Sequence, residues 1–240
     1  MNAPIQSRRS PEPSPTLTFS PLAWLKLQFF CHAGATEIGG FGISAARDLL
    51  YVEDFLTIRQ QVSVVSVRFE DAAVAEYFDA CVDRGLPPER FARLWIHTHP
   101  GASPLPSATD EETFARSFGG CAWALMFITG RTGQTYARLA FSAGPRAHLQ
   151  LPVRVDWAAW PAALADNPAP LAALVEDWRR EYAANIEPLT ISSPKQSRNL
   201  AGQPSQVQEL DWWDEEWWPA ELVEITSPFE QEDTIYEFDF

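Results

Sequence analysis

Residues 91–120 read "FARLWIHTHPGASPLPSATDEETFARSFGG" and combine two local patterns. The segment up to His99 is mostly apolar and becomes polar at its end, which indicates a buried strand. The segment from Ser107 onward favours a helix. Ser107 and Asp110 have the spacing of a capping box, in which two side chains bond the free amides of a helix start. The stretch therefore predicts a strand, a proline-rich loop and a helix in direct succession.

The flanking sequence continues this alternation of strands and helices. Apolar runs predict further strands at 22–34, 37–44, 60–69, 121–130 and 135–142. Helices are predicted at 70–85 and 170–186, where apolar residues recur at spacings of three and four. Strands mixed with helices in this order predict an α/β or α+β domain.

Composition divides the chain into successive segments. Residues 1–20 are rich in proline, serine and threonine, which predicts disorder. The predicted elements occupy 21–186, a linker follows at 187–208, and 209–240 form an acidic, tryptophan-rich tail. Residues 199–240 carry 12 acidic residues and no Lys or Arg, so most of the net charge of −14 lies there. The nearly neutral body has no basic patch, which argues against nucleic-acid binding.

Cysteine content and hydropathy predict the compartment. The chain has three cysteines, an odd number that is widely scattered, which argues for reduced thiols rather than a disulfide framework. No run approaches the roughly 18 consecutive apolar residues of a membrane-spanning helix. The N-terminal residues also lack the apolar core of a signal peptide. We therefore expect a cytoplasmic protein that does not interact with membranes.

Two of the four histidines lie one residue apart at the end of the predicted strand. Side chains at i and i+2 of a strand point to the same face, so His97 and His99 can both bind one Zn²⁺. A catalytic zinc usually takes a third protein ligand, and Asp110 at the head of the next helix is the candidate. The ordinary alternatives are two surface histidines and, for Ser107 with Asp110, a capping box alone.

A hydrolytic zinc site also needs a residue that moves protons. Glu37 is the candidate, because it lies in "ATEIGGFG", where glycines let a substrate or metal approach the backbone closely. Ser107 can supply a hydroxyl to the oxyanion that develops on an attacked carbonyl. Considered alone, Glu37 would be an ordinary polar residue. Trp95 and Trp123 are predicted as core aromatics, with a wall against a substrate peptide as the alternative.

This combination of residues resembles the JAMM (MPN/JAB, Mov34) metalloprotease family. The family signature is an upstream Glu, then His-x-His, seven residues, Ser, two residues and Asp. The matching positions in this chain are Glu37, His97, His99, Ser107 and Asp110. The stretch "TEIGGFGI" is also similar to the Glu-x-Gly-Gly surroundings of the family's glutamate. The resemblance covers about residues 22–145.

The resemblance implies a fold, a site and an activity. The fold would be α/β and similar to cytidine deaminases, with a curved mixed sheet flanked by helices. One zinc ion per chain would be bound by His97, His99 and Asp110. Glu37 would act as general acid and base, and Ser107 would stabilise the tetrahedral intermediate. Active family members are deubiquitinase-like isopeptidases or peptidases that cut after the C-terminus of ubiquitin or a ubiquitin-like protein.

The resemblance also implies a biological context. A bacterial ubiquitin-like conjugation system with antiviral defence is the favoured one, with E1-like and E2-like proteins as further partners. The alternatives are a non-catalytic MPN scaffold, or a metal hydrolase of sulfur-carrier or small peptide conjugates.

Four tryptophans of the acidic tail are candidates for partner binding. They are Trp212, Trp213, Trp217 and Trp218. Clustered tryptophans on a flexible acidic segment suit folding upon binding to a basic, apolar surface. The alternatives are packing of the tail on the domain itself and a tail without a role.

Overall fold

In the computed structural model, residues 14–165 and 169–189 are described, and they form an α/β fold with a mixed sheet. The strands are β1 Leu17–Phe19, β2 Ile38–Ser44, β3 Tyr51–Leu56, β4 Gln60–Ser63, β5 Ser66–Phe69, β6 Leu94–His99, β7 Trp123–Gly130, β8 Thr135–Phe141, β9 Ala147–Gln150, β10 Val153–Val155 and β11 Ile186–Pro188. The helices are α1 Pro21–His32, α2 Asp71–Asp83, α3 Pro88–Phe91, α4 Ala108–Phe118, α5 Ala162–Ala165 and α6 Ala169–Asn185, with one 3-10 turn at Trp157–Ala159. None of the helices in these ranges is long and apolar enough to cross a membrane.

The main sheet has eight strands in the order β10-β1-β3-β2-β6-β7-β8-β9. Strand β6 is central, with β2 antiparallel on one side and β7 parallel on the other. The sheet is strongly curled, so that β10 at one end touches β8 near the other. A second, three-stranded sheet has the order β11-β4-β5. The prediction of an α/β fold with a curved mixed sheet and helices is confirmed.

Helices cover both faces of the main sheet, and each face has its own apolar core. On one face α1 and α6 pack over residues such as Phe127, which is fully buried. On the other face α2, α3 and α4 pack over residues such as Trp95 and Met126. Alternating residues of β6 and β7 therefore belong to different cores, as the twofold side-chain alternation of a strand requires.

Residues 22–32 lie in helix α1, so the prediction of a strand over 22–34 is wrong. Helix α1 begins after Ser20, whose hydroxyl accepts a hydrogen bond from the amide of Ala23, and Pro21 occupies its first turn. The helix is apolar around much of its surface because the sheet and α6 cover it. A continuous apolar run of this kind does not separate a buried strand from a buried helix.

Two predicted segment boundaries also differ from the structure. Strand β1 lies inside the segment 1–20 that was predicted to be disordered, and Leu17 and Phe19 are fully buried between β10 and β3. Strand β11 continues the fold to Pro188 by pairing with β4, so the linker prediction begins too early. The predictions for residues 1–13 and for the tail, including its tryptophans, lie outside the described residues.

Gly40 lies where β2 passes close to β3, and it provides a test of this packing. A methyl group at this position would meet the carbonyl oxygen of Leu56 and lie 2.6 Å from Cε2 of Phe55. We expect Gly40→Ala to lower the free energy of unfolding by about 1–3 kcal/mol, measured by chemical denaturation. The control is Gly120→Ala, where no atom lies within 4 Å of the added methyl. Equal stability of the two variants would contradict this packing.

Candidate metal centre

Strand pairing brings Glu37 to the histidines across sixty residues of sequence. In the register of β2 with β6, Ile38 lies opposite Thr98 and Gly39 opposite His97. Glu37 precedes this pairing and therefore lies next to His99, with its Oε1 at 3.7 Å from Nε2 of His99. Continuing the register places Glu37 opposite His99, and residues opposite each other on paired strands project to the same face of the sheet.

The third group reaches the site through the start of α4. Ser107 is the N-cap, and its hydroxyl accepts a hydrogen bond from the amide of Asp110 at 3.2 Å. In return, Oδ2 of Asp110 accepts from the Ser107 amide and hydroxyl, each at 2.7 Å. The predicted capping box is thus confirmed. The second oxygen, Oδ1, lies 3.3 Å from Nε2 of His97, so one carboxylate serves both the cap and the site.

His97, His99 and Asp110 form a buried group that could hold a metal ion. One ligand atom from each residue lies within 4.8 Å of the others. Both ring nitrogens of His97 and Nε2 of His99 are buried without a hydrogen-bond partner. Such unpaired buried atoms are costly, and a cation bound between the rings would give each imidazole a partner. The donor set of two imidazoles and a carboxylate therefore fits a metal ion.

Neighbouring groups orient both imidazoles. The Nδ1 atom of His99 lies 2.9 Å from the carbonyl oxygen of Ser103, an arrangement that favours a proton on Nδ1 and a free lone pair on Nε2. The ring of His97 stacks on Trp95, with ring centroids 4.4 Å apart. Trp95 is 3% exposed and packs against Phe114 and Phe118, so it is a core residue that also supports a site residue. Neither the Ser103 carbonyl nor the Trp95 stacking was predicted.

Burial and neighbouring contacts set the pKa values of the ionisable groups at the site. Burial raises the pKa of Glu37 to about 7, against an opposing effect of His99. It also lowers the pKa of His97, which keeps that imidazole neutral, as a metal ligand must be. Burial works against the charged form of Asp110, but contacts with His97, His99 and Ser107 hold the pKa of this carboxyl below its usual value. The site therefore combines a carboxylate that stays ionised with one that exchanges its proton near neutrality.

The loop between β6 and α4 packs on the end of β7. A methyl group at Gly130 would lie 2.6 Å from the carbonyl oxygen of Ala102, so only glycine allows this approach. The carbonyl of Gly101 accepts a hydrogen bond from the amide of Arg131 at 3.1 Å. These contacts anchor the loop that leads from His99 to Asp110.

The fold and the site together define an α/β protein with a buried two-histidine, one-aspartate group suited to a metal ion. No protein-family model matches the chain, and no curated protein matches it in a sequence search.

Ser107 offers a test of how Asp110 is oriented. Its hydroxyl proton points to Oδ2 of Asp110, so a role toward an oxyanion stays a prediction. We expect Ser107→Ala to weaken metal binding about 10-fold, because groups that orient a metal ligand have effects of about 10–100-fold. Ser117→Ala, at an exposed position of the same helix, is the control. Competition with a metal-binding dye measures both affinities, and equal values would contradict the orienting role.

Proposed function

We propose that this protein is a zinc-dependent isopeptidase or peptidase of the JAMM (MPN/JAB) family, with the cytidine-deaminase-like fold of that family. Its substrate would be a bond that follows the C-terminus of a ubiquitin-like protein, either in a conjugate or in a precursor. The proposed context is a bacterial ubiquitin-like conjugation system with antiviral defence, in which E1-like and E2-like proteins are further partners.

One observation carries the proposal. The carboxylate of Glu37, the residue before β2, lies 3.7 Å from Nε2 of His99 at the buried group that could hold a metal. A purely structural metal site is closed by four protein ligands. A site with three such ligands and a nearby carboxylate of raised pKa is the arrangement expected for hydrolysis.

Each side chain has a role in the proposed reaction. A bound zinc ion would polarise the attacked carbonyl and lower the pKa of water. Glu37 takes a proton from the attacking water and delivers it to the leaving amine, which its pKa of about 7 permits at neutral pH. Ser107 keeps Asp110 in place and, in the family, stabilises the tetrahedral intermediate.

Exposed apolar residues beside the site support a protein substrate. Val64 and Val65, at the turn of the β4–β5 hairpin, are 57% and 68% exposed. They follow Ser63, whose carbonyl accepts the amide hydrogen bond of Glu37 at 2.8 Å. Leu105, two residues before Ser107, is 64% exposed. These exposed side chains can contact an apolar surface of a substrate. A protein substrate has such a surface, whereas a dipeptide is too small to have one.

The test uses the full chain, its metal content and a set of substrates. We expect one zinc per chain and cleavage of a ubiquitin-like protein fused to a peptide, lost with a chelator and restored by zinc. Sulfur-carrier fusions and dipeptides are assayed in parallel. Cleavage of dipeptides alone would contradict the protein substrate in favour of a small-conjugate hydrolase. A chain that binds zinc but cleaves no substrate would favour the scaffold alternative.

A further inference from the structure

The first residues of β2, Ile38 and Gly39, lead directly from Glu37 at the site, but they are not paired with strand β3. The pairing of β2 with β3 extends from Ser44 to Phe41, which lies opposite Leu56. Beyond Leu56 the chain turns aside, and Thr57 is hydrogen bonded to α6 instead. The backbone groups of Gly39 therefore need a partner that is not a strand.

Gln60 of β4 supplies this partner with its side-chain amide. Its Oε1 accepts a hydrogen bond from the Gly39 amide at 2.8 Å. Its Nε2 donates to the carbonyl oxygens of Gly39 at 2.8 Å and Ile58 at 2.9 Å. The residue is 1% exposed, so these bonds are shielded from bulk water. The side-chain amide of Gln60 thus bonds both backbone groups of Gly39, as the backbone of a neighbouring strand would.

The absence of a side chain at Gly39 lets the β4–β5 hairpin lie close to this part of β2. A methyl group there would lie 2.8 Å from Cγ1 of Val67 in β5, so the hairpin covers β2 directly at this point. The hairpin also binds Glu37 itself, because the Ser63 carbonyl accepts the Glu37 amide. Strand β4 therefore holds residues 37 and 39, one through a backbone carbonyl and the other through the Gln60 side chain.

We propose that Gln60 is a positioning residue that holds the Glu37 carboxylate beside His99 by pairing with both backbone groups of Gly39. Its effect on catalysis rests on the function proposed above, whereas its effect on the backbone does not. A displacement of about 1 Å at a reacting group can cost about 100-fold in rate. The candidate metal ligands lie on β6 and α4, so we expect them to stay in place when the Gln60 amide is lost.

The test replaces Gln60 by methionine, which removes the amide and keeps the chain length. In the zinc-loaded full chain we expect amide hydrogen exchange at Glu37 and Gly39 to become at least about 10-fold faster. We expect kcat for a ubiquitin-like fusion to fall about 10–100-fold, with zinc affinity and KM within about threefold of wild type. Unchanged exchange at these two residues would overturn the proposal, whether or not the wild type cleaves the fusion.

The control is Thr57→Val. Thr57 is also buried and polar and lies between β3 and β4, but its hydroxyl bonds to Glu181 of α6 rather than to β2. This variant is expected to lower stability without changing kcat or the exchange at Gly39. If Gln60→Met does not fold, Gln60→Glu keeps the acceptor for the Gly39 amide and, when protonated, can donate one hydrogen bond to the Gly39 carbonyl, so a smaller rate loss is expected. A folded, zinc-loaded Gln60 variant with the kcat of an active wild type would also overturn the proposal. A wild type without cleavage would contradict the proposed function alone.

Discussion

Glu37→Gln is expected to retain the metal ion and to lose about 10²–10⁴-fold in kcat, the usual contribution of a general acid–base residue. Glutamine has the same size but cannot take up a proton. Glu37 is 6% exposed, and burial raises the pKa of its carboxyl to about 7, so the native residue changes its protonation near neutral pH. Metal binding should persist because the three ligand atoms belong to other residues.

The measurement combines zinc analysis of the purified variant with steady-state cleavage of a ubiquitin-like fusion. Glu112→Gln is the matched control, since it changes an exposed glutamate of α4 in the same way. We expect the control to keep both zinc and activity. A Glu37→Gln variant that cleaves as fast as wild type would show that another group moves the proton.

Asp110→Asn is expected to weaken zinc binding by more than about 100-fold, beyond the effect of groups that only orient a ligand. The change removes the negative charge that balances the cation. The side-chain oxygen of asparagine can still accept the hydrogen bond from the Ser107 amide, which now measures 2.7 Å to Oδ2. The helix start is therefore preserved, and the loss reports on the metal rather than on α4.

Competition with a chelating dye gives the zinc affinity of this variant, and circular dichroism checks its fold. Asp83→Asn, at the exposed end of α2, is the control and should bind zinc like the wild type. Wild-type affinity in Asp110→Asn would mean that the carboxylate is not a ligand. The site would then hold the ion through the two histidines and another group.

Local patterns predicted much of the chain. The strand through His97 and His99, the helix after Ser107 and helix α6 all follow from side-chain spacing and capping residues, which act over a few positions. The segment 60–69 was predicted as one strand but forms the hairpin of β4 and β5, because the chain reverses at Val64 and Val65. A run of valines contains no turn signal, so only the pairing partners reveal the reversal.

Segments whose environment is set by distant residues were predicted poorly. Helix α1 has the composition of a buried strand, since almost every side of it is covered. Strand β1 has only three residues and gains its burial from β10, which lies 136 residues later in the chain. Spacing within the segment carries no information about such partners.

The sequence by itself determined that two imidazoles share one face and that Ser107 and Asp110 begin a helix, because these relations depend on residues a few positions apart. Only the tertiary structure decided that Glu37 lies beside His99 and that Gln60 serves Gly39 as a strand partner. Both depend on strand register between distant segments. Register is set by which faces become buried together, and that is a property of the assembled sheet rather than of any one stretch.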